Sequence, residues 1–163
     1  MSLGFRMVGQ QAILRAARTL LAAEPWLMSA VLPDAAAMLG WTVTRHKPDR
    51  PALGAFLDAD TGLGPKSAFI SLDAESRVQE ISLNITEELS GSSPEADAFK
   101  QDTFAAAAAA LTGVYGRPSE QRPGEKPQLW WRRDTTTLRL VTQYDSIALQ
   151  LSPNKLLAGE DRP

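Results

Sequence analysis

One run, from Ser93 to Pro118, constrains the fold of this chain more than any other stretch. Ser93 offers a side-chain oxygen to the first turn of a helix, and Pro94 suits the first helical position, where no backbone donor is needed. Glu95 and Asp97 place negative charge at the positive end of the helix dipole. Ala105 to Ala110 then supply six consecutive residues of the highest helix propensity. Gly116 provides a left-handed cap and Pro118 blocks continuation. At 100° per residue, Phe99, Thr103, Phe104, Ala107, Ala110, Leu111, Val114 and Tyr115 share one broad face. Its middle is small and its ends are aromatic, so the helix can lie close to a sheet. Ala105 and Ala109 fall on the opposite arc, where polar residues are usual.

The flanking segments supply the sheet. Trp41 to Arg45, Leu53 to Leu57, Lys66 to Leu72 and Val78 to Thr86 read as strands before the helix. Asp73 to Ser76 is a hairpin connection. After the helix, the three prolines and one glycine between Arg117 and Pro127 predict an extended loop. Leu129 to Arg132, Thr136 to Val141 and Ile147 to Leu151 are three more strands, the last two joined by a turn at Tyr144 to Ser146. Ahead of all this, Ile13, Ala16, Ala17, Leu20 and Leu21 recur at helical spacing in a segment stopped by Pro25. A short second helix runs from Pro33 to Gly40. Pro153 to Leu157 forms a terminal helical turn.

Strands joined by short turns pair antiparallel. The reading is therefore α+β: a single antiparallel sheet of about 6–7 strands with the helices on one face, in the order α(α)-β-β-β-β-α-β-β-β. One domain spans residues 5–157, with 1–4 a flexible leader and 158–163 a frayed tail. No internal repeat stands out in the sequence.

At 163 residues the chain can bury a core without staples. A net charge of −2 argues against a broad nucleic-acid surface. With no cysteine, disulfides, thiolate zinc sites and a cysteine nucleophile are excluded, and a reducing compartment fits. No apolar run approaches the length of a membrane span, so the expected location is cytoplasmic.

Candidate chemistry is sparse. Asp58, Asp60 and Thr61 sit in a glycine-rich loop after an apolar run. Paired aspartates there resemble the nucleophile loop of haloacid-dehalogenase-type phosphatases, but Thr and Gly are transposed and the strand order is wrong. An EF-hand fails as well, since Phe69 stands where a closing glutamate belongs. The simpler reading is a turn whose aspartates cap backbone amides; the sharper one is a ligand loop. His46, the only histidine, falls in a surface turn. Neither a Walker loop nor a dinucleotide fingerprint is present. No catalytic residues, cofactor or metal site are expected.

Trp130, Trp131, Arg132, Arg133 and Arg139 are the densest aromatic–basic group. Such groups stack on single-stranded nucleic acid or anchor protein interfaces; the acidic balance favours the interface. In one strand the two tryptophans face opposite sides, so one is expected to leave the core.

Several fragments carry a family likeness: Gly40 and Trp41, Asp60 to Gly64, Asp102 to Phe104, Gly116 to Pro118, Arg122 to Gly124, Trp131 and Arg132, Thr136 to Leu138, and Leu149 to Asn154. Together they resemble an actinobacterial family of small proteins of unknown function. The resemblance covers roughly residues 33–157 and carries over no catalytic residue. It implies an immunity or accessory role beside a toxin or secretion system. The element order looks like the type III secretion chaperone fold.

The leading expectation is thus a non-enzymatic protein-binding domain using Trp130, Trp131, Arg132 and Arg139 toward a toxin or secreted partner. The alternative is a small-molecule or metal-binding protein or hydrolase built on Asp58, Asp60 and Thr61. Nucleic acid and membrane are not expected partners, and a homodimer is compatible with either reading.

Overall fold

Alternation of apolar and polar residues builds two antiparallel meanders, and their last strands pair to make one sheet. A computed structural model describes residues 5–89, 91 and 93–158. The expected leader, and the expected tail from 159 onward, lie outside the described residues. The first meander is β1 (Thr42–His46), β2 (Ala55–Asp58), β3 (Ala68–Leu72) and β4 (Val78–Asn84). The second is β5 (Glu120–Arg122), β6 (Gln128–Arg132), β7 (Thr136–Thr142) and β8 (Ile147–Pro153). The sheet has eight strands in the order β1-β2-β3-β4-β8-β7-β6-β5, and neighbouring strands run antiparallel.

Helices α1 (Gln10–Ala22) and α2 (Leu32–Leu39) precede the first meander, and α3 (Pro94–Tyr115) precedes the second. The architecture is therefore helix-then-meander, twice, with β4 and β8 meeting at the centre. That topological repeat has no counterpart in the sequence. A 3-10 turn (Pro51–Leu53) and a C-terminal turn, α4 (Asn154–Leu157), complete the described elements.

The expected single antiparallel sheet is present, but with eight strands rather than 6–7. The addition is β5, in the segment expected to be a loop. Its three residues pair with Gln128, Leu129 and Trp130 before Pro123 ends the ladder. Proline lacks the donor a ladder needs, which keeps this strand short and at the edge.

The helix capped by Ser93 and running to Tyr115 forms as expected, but Gly116 ends it in an extended positive-φ conformation (ψ −172°) and not as the expected left-handed cap. The Ser93 hydroxyl accepts from the Ala96 amide at 3.0 Å, and Gly116 closes the helix at φ 81°. Ala107 and Leu111 are fully buried. Val114, placed by the helical wheel on the same face, is instead 58% exposed. A wheel gives direction but not where the opposing surface ends. Ala105 and Ala109 face solvent.

The core lies between α1, α3 and one face of the sheet. Leu57, Ala68, Leu83, Leu149, Leu140 and Leu129 pair in register across six strands. Ile70, Ile81, Leu151, Leu138 and Trp131 form the next row. Ile13, Ala17 and Leu20 of α1 belong to the same buried cluster. Each such Leu or Ile contributes about 1.5–3 kcal/mol over its exposed state. The Trp131 indole donates to the Gly116 carbonyl at 2.9 Å, tying the end of α3 to β6. No helix among the described residues is long and apolar enough to cross a membrane.

Candidate functional site

With α1 and α3 on one face of the sheet, the other face carries the alternate residues. Arg45, Phe56, Phe69, Ser82, Gln150, Arg139, Trp130 and Glu120 pair in sequence across all eight strands. One continuous row thus crosses this face, half from each meander. The 3-10 turn closes over one end, where the Gly54 backbone lies against the Phe69 ring. Beside β7 and β8, α4 is tied down where Asn154 accepts from the Thr137 hydroxyl at 2.6 Å.

The β5–β8 half of the row is a bonded lattice. Arg139 donates from Nη2 to Glu80 Oε2 at 3.1 Å and to Gln150 Oε1 at 2.7 Å. Ser152 donates to the same glutamate oxygen at 2.5 Å, and Gln150 donates to Ser82 at 3.4 Å. Burying Arg139 needs such partners, because a desolvated charge without them is strongly destabilising. The guanidinium carbon of Arg122 sits 3.8 Å from the Trp130 ring centroid, with those of Arg139 at 5.3 Å and Arg132 at 5.7 Å. Glu120 pairs with Arg122 at 2.9 Å and with Arg132 at 3.6 Å. The Trp130 indole donates to Gln128 at 2.8 Å.

Both tryptophans are therefore buried, Trp130 completely and Trp131 to 6% exposure. The expectation that they face opposite sides holds. The expectation that one is open to a partner is corrected, because arginine side chains seal the outer one. Arg132 remains exposed and Arg139 is buried, so these two expected interface residues are brought together in unlike settings. Sequence reasoning missed Phe56 and Phe69, whose rings meet edge-on at 5.1 Å, with Lys66 5.3 Å above Phe56. Their spacing in two separate strands held the signal, but only the register joins them.

Asp58 ends β2 on the side opposite Leu57, and the loop then brings Ala59, Asp60 and Thr61 beside α1. Asp58 Oδ1 accepts from the Asp60 amide at 2.8 Å, and Ser67 Oγ accepts from the Ala59 amide at 2.9 Å. Asp60 takes a left-handed conformation, φ 58°, which aspartate adopts more readily than most side chains. The turn reading of Asp58 is thus right, and the loop also lines a cavity of about 390 Å³ between α1, the end of α2 and the sheet. His46 is at the end of β1, half-buried, rather than in a surface turn. No group of three or more His, Cys, Asp or Glu that could hold a metal occurs among the described residues.

One carboxyl is clearly perturbed. Glu24, after α1, is held below its ordinary value, chiefly by the Thr136 hydroxyl at 2.5 Å. Burial opposes this, and Arg133 at 3.1 Å adds to it.

These features define an α+β domain on one eight-stranded sheet, with a helix-covered face and a face of paired charges and aromatics. Residues 11–152 match the model of DUF6301, a family of unknown function, and the chain belongs to that family. No curated protein matches the sequence. Among solved structures, the chain is similar to a crystal structure of a DUF4309 family protein (YjgB) from Bacillus subtilis subsp. subtilis str. 168. The identity is 11% and the TM-score 0.47, over 89% of this chain and 97% of that one.

Proposed function

We propose that the chain is a non-enzymatic, cytoplasmic protein-binding domain whose contact surface is the face of the sheet opposite α1 and α3. The row from Arg45 to Glu120 carries this reading. It sets half-buried aromatics beside preorganised charge, as protein interfaces do. Among the exposed residues of the face are the cations Arg45, Lys66 and Arg132, on a chain of net charge −2. That sign favours an acidic partner. The outer tryptophan has arginines, not an open π-face, around it, which disfavours base stacking. The resemblance to small actinobacterial proteins suggests a toxin or secreted protein as that partner, with an immunity or chaperone-like role.

The test is a pull-down from the native organism with the natural chain and an Arg45→Glu, Lys66→Glu, Arg132→Glu variant, all three residues being exposed. The expected result is a protein that co-purifies with the first bait and is lost with the second. Equal recovery by both baits, or recovery abolished by nuclease, overturns the reading.

A further inference from the structure

The corner of the sheet where β1 ends concentrates unpaired positive charge. Arg45, Lys47, Arg50 and Lys66 are all exposed, and no ion pair ties any of them to a carboxylate among the described residues. Arg6, Arg133 and Arg139, by contrast, each hold a glutamate. The chain has 19 acidic side chains against 17 basic ones, so this excess is a local arrangement and not an effect of composition. Asp49 is the one acid between Arg45 and Arg50.

Beneath these charges the surface is apolar. Arg45, His46 and Lys47 at the end of β1, Leu53 and Gly54 at the 3-10 turn, and Phe56 of β2 enclose a hollow of about 190 Å³. That is below the size of small-molecule sites and suits a single large side chain. Leu53 stands at its lip, 55% exposed. Phe56 is half-buried, edge-on to Phe69, with Lys66 Nζ 5.3 Å from its ring centroid. The Arg50 amide donates to the Lys47 carbonyl at 2.9 Å, and the Leu53 amide to the Arg50 carbonyl at 3.0 Å. These bonds fix the backbone that carries the charges and the leucine, which lowers the ordering cost of binding. β1 is the last strand at this edge, but its register shifts between Val43 and Arg45. Such a bulge turns an edge away from further pairing. A partner therefore meets this corner through side chains and not by adding a strand.

We propose that this corner docks an acidic segment of a partner protein that carries one large apolar side chain. That side chain enters the hollow against Leu53, Gly54 and Phe56, and carboxylates on either side of it meet Arg45, Lys47, Arg50 and Lys66. Charge complementarity selects the acidic partner, and the apolar hollow favours a protein over a bare polyanion. The proposal rests on the protein-binding reading of this face, and adds which end of the row makes contact and what chemistry the partner segment has.

Fluorescence anisotropy of a labelled, end-capped heptapeptide, one phenylalanine centred among glutamates, titrated with the whole chain in about 0.1 M salt, tests it. Saturable binding at about 10–100 μM is expected. Replacing the phenylalanine by alanine should weaken binding at least about fivefold, and Lys47→Glu with Arg50→Glu at least about tenfold. Arg15→Glu with Arg18→Glu makes the same change in net charge on exposed residues of α1, and should shift binding by no more than about threefold. Absence of saturable binding up to about 1 mM overturns the proposal. Equal binding of the alanine peptide, equal weakening by the two double variants, or tighter binding of a single-stranded oligonucleotide of the same charge also overturns it. In the pull-down, a protein lost with the Arg45, Lys66, Arg132 variant but retained by Lys47→Glu, Arg50→Glu overturns this docking corner and leaves the protein-binding reading standing. Equal recovery by the natural and triple-variant baits fails that reading itself; the peptide titration, which needs no partner from the organism, separates the two failures.

Discussion

The two meanders have the same topology but cover their outer face differently. In β1–β4 the row runs Arg45, Phe56, Phe69, Ser82, and the two rings are left half-buried with one lysine above them. In β5–β8 it runs Gln150, Arg139, Trp130, Glu120, and the aromatic is sealed by guanidinium groups that are themselves paired to carboxylates. Repeated strand order thus repeats where side chains point, not what they do. One half leaves its rings half-buried; the other covers its ring with paired charge.

If that contrast is right, truncations in the two halves should differ in size. Trp130→Ala removes a fully buried ring and should cost about 3–5 kcal/mol in denaturant unfolding. Phe56→Ala, at a half-buried site, should cost only about 1 kcal/mol. Similar losses at the two positions would erase the distinction.

The next effect concerns the charges. Arg139→Met leaves Glu80 without its guanidinium and should cost about 3 kcal/mol, whereas Arg139→Met with Glu80→Met should recover roughly half. A double variant no better than the single would mean that packing of the arginine stem, not pairing, holds this half together.

The smallest effect sharpens how the halves are joined. Glu24 follows α1 yet bonds to Arg133 and Thr136 at the β6–β7 turn. Its carboxyl is held below the ordinary 4.5, first by the Thr136 hydroxyl. The stability it contributes is fully present above that ordinary value and is lost as the pH falls through the lowered one. Glu24→Gln should therefore be less stable than the natural chain at neutral pH, with the difference vanishing on acidification below 4.5. A gap that persists or widens in acid would assign the strap to packing instead.

Local chemistry made much of the fold legible. Ser93, Pro94 and Gly116 bound α3 because capping depends on a few adjacent residues. The strands from Ala68 to Asn84 and from Thr136 to Pro153 follow alternation and short turns, which are also local. Edge strand β5 was not legible: three residues between prolines carry no periodicity and exist as a strand only because β6 lies beside them. The candidate sites divide in the same way. Asp58 as a turn-capping residue could be read from its spacing to Asp60, but the cavity beside it needed α1 and α2.

Short-range chemistry specifies an α+β chain with a central capped helix, antiparallel hairpins and no cysteine chemistry, because propensity, capping and alternation act over a few residues. Tertiary structure decided that β4 pairs with β8, that Phe56, Phe69, Arg139 and Trp130 share one row, and that Trp130 is buried beneath arginines. Those outcomes depend on the register between strands far apart in the chain. A one-residue slip in any pairing would turn the whole row to the opposite face.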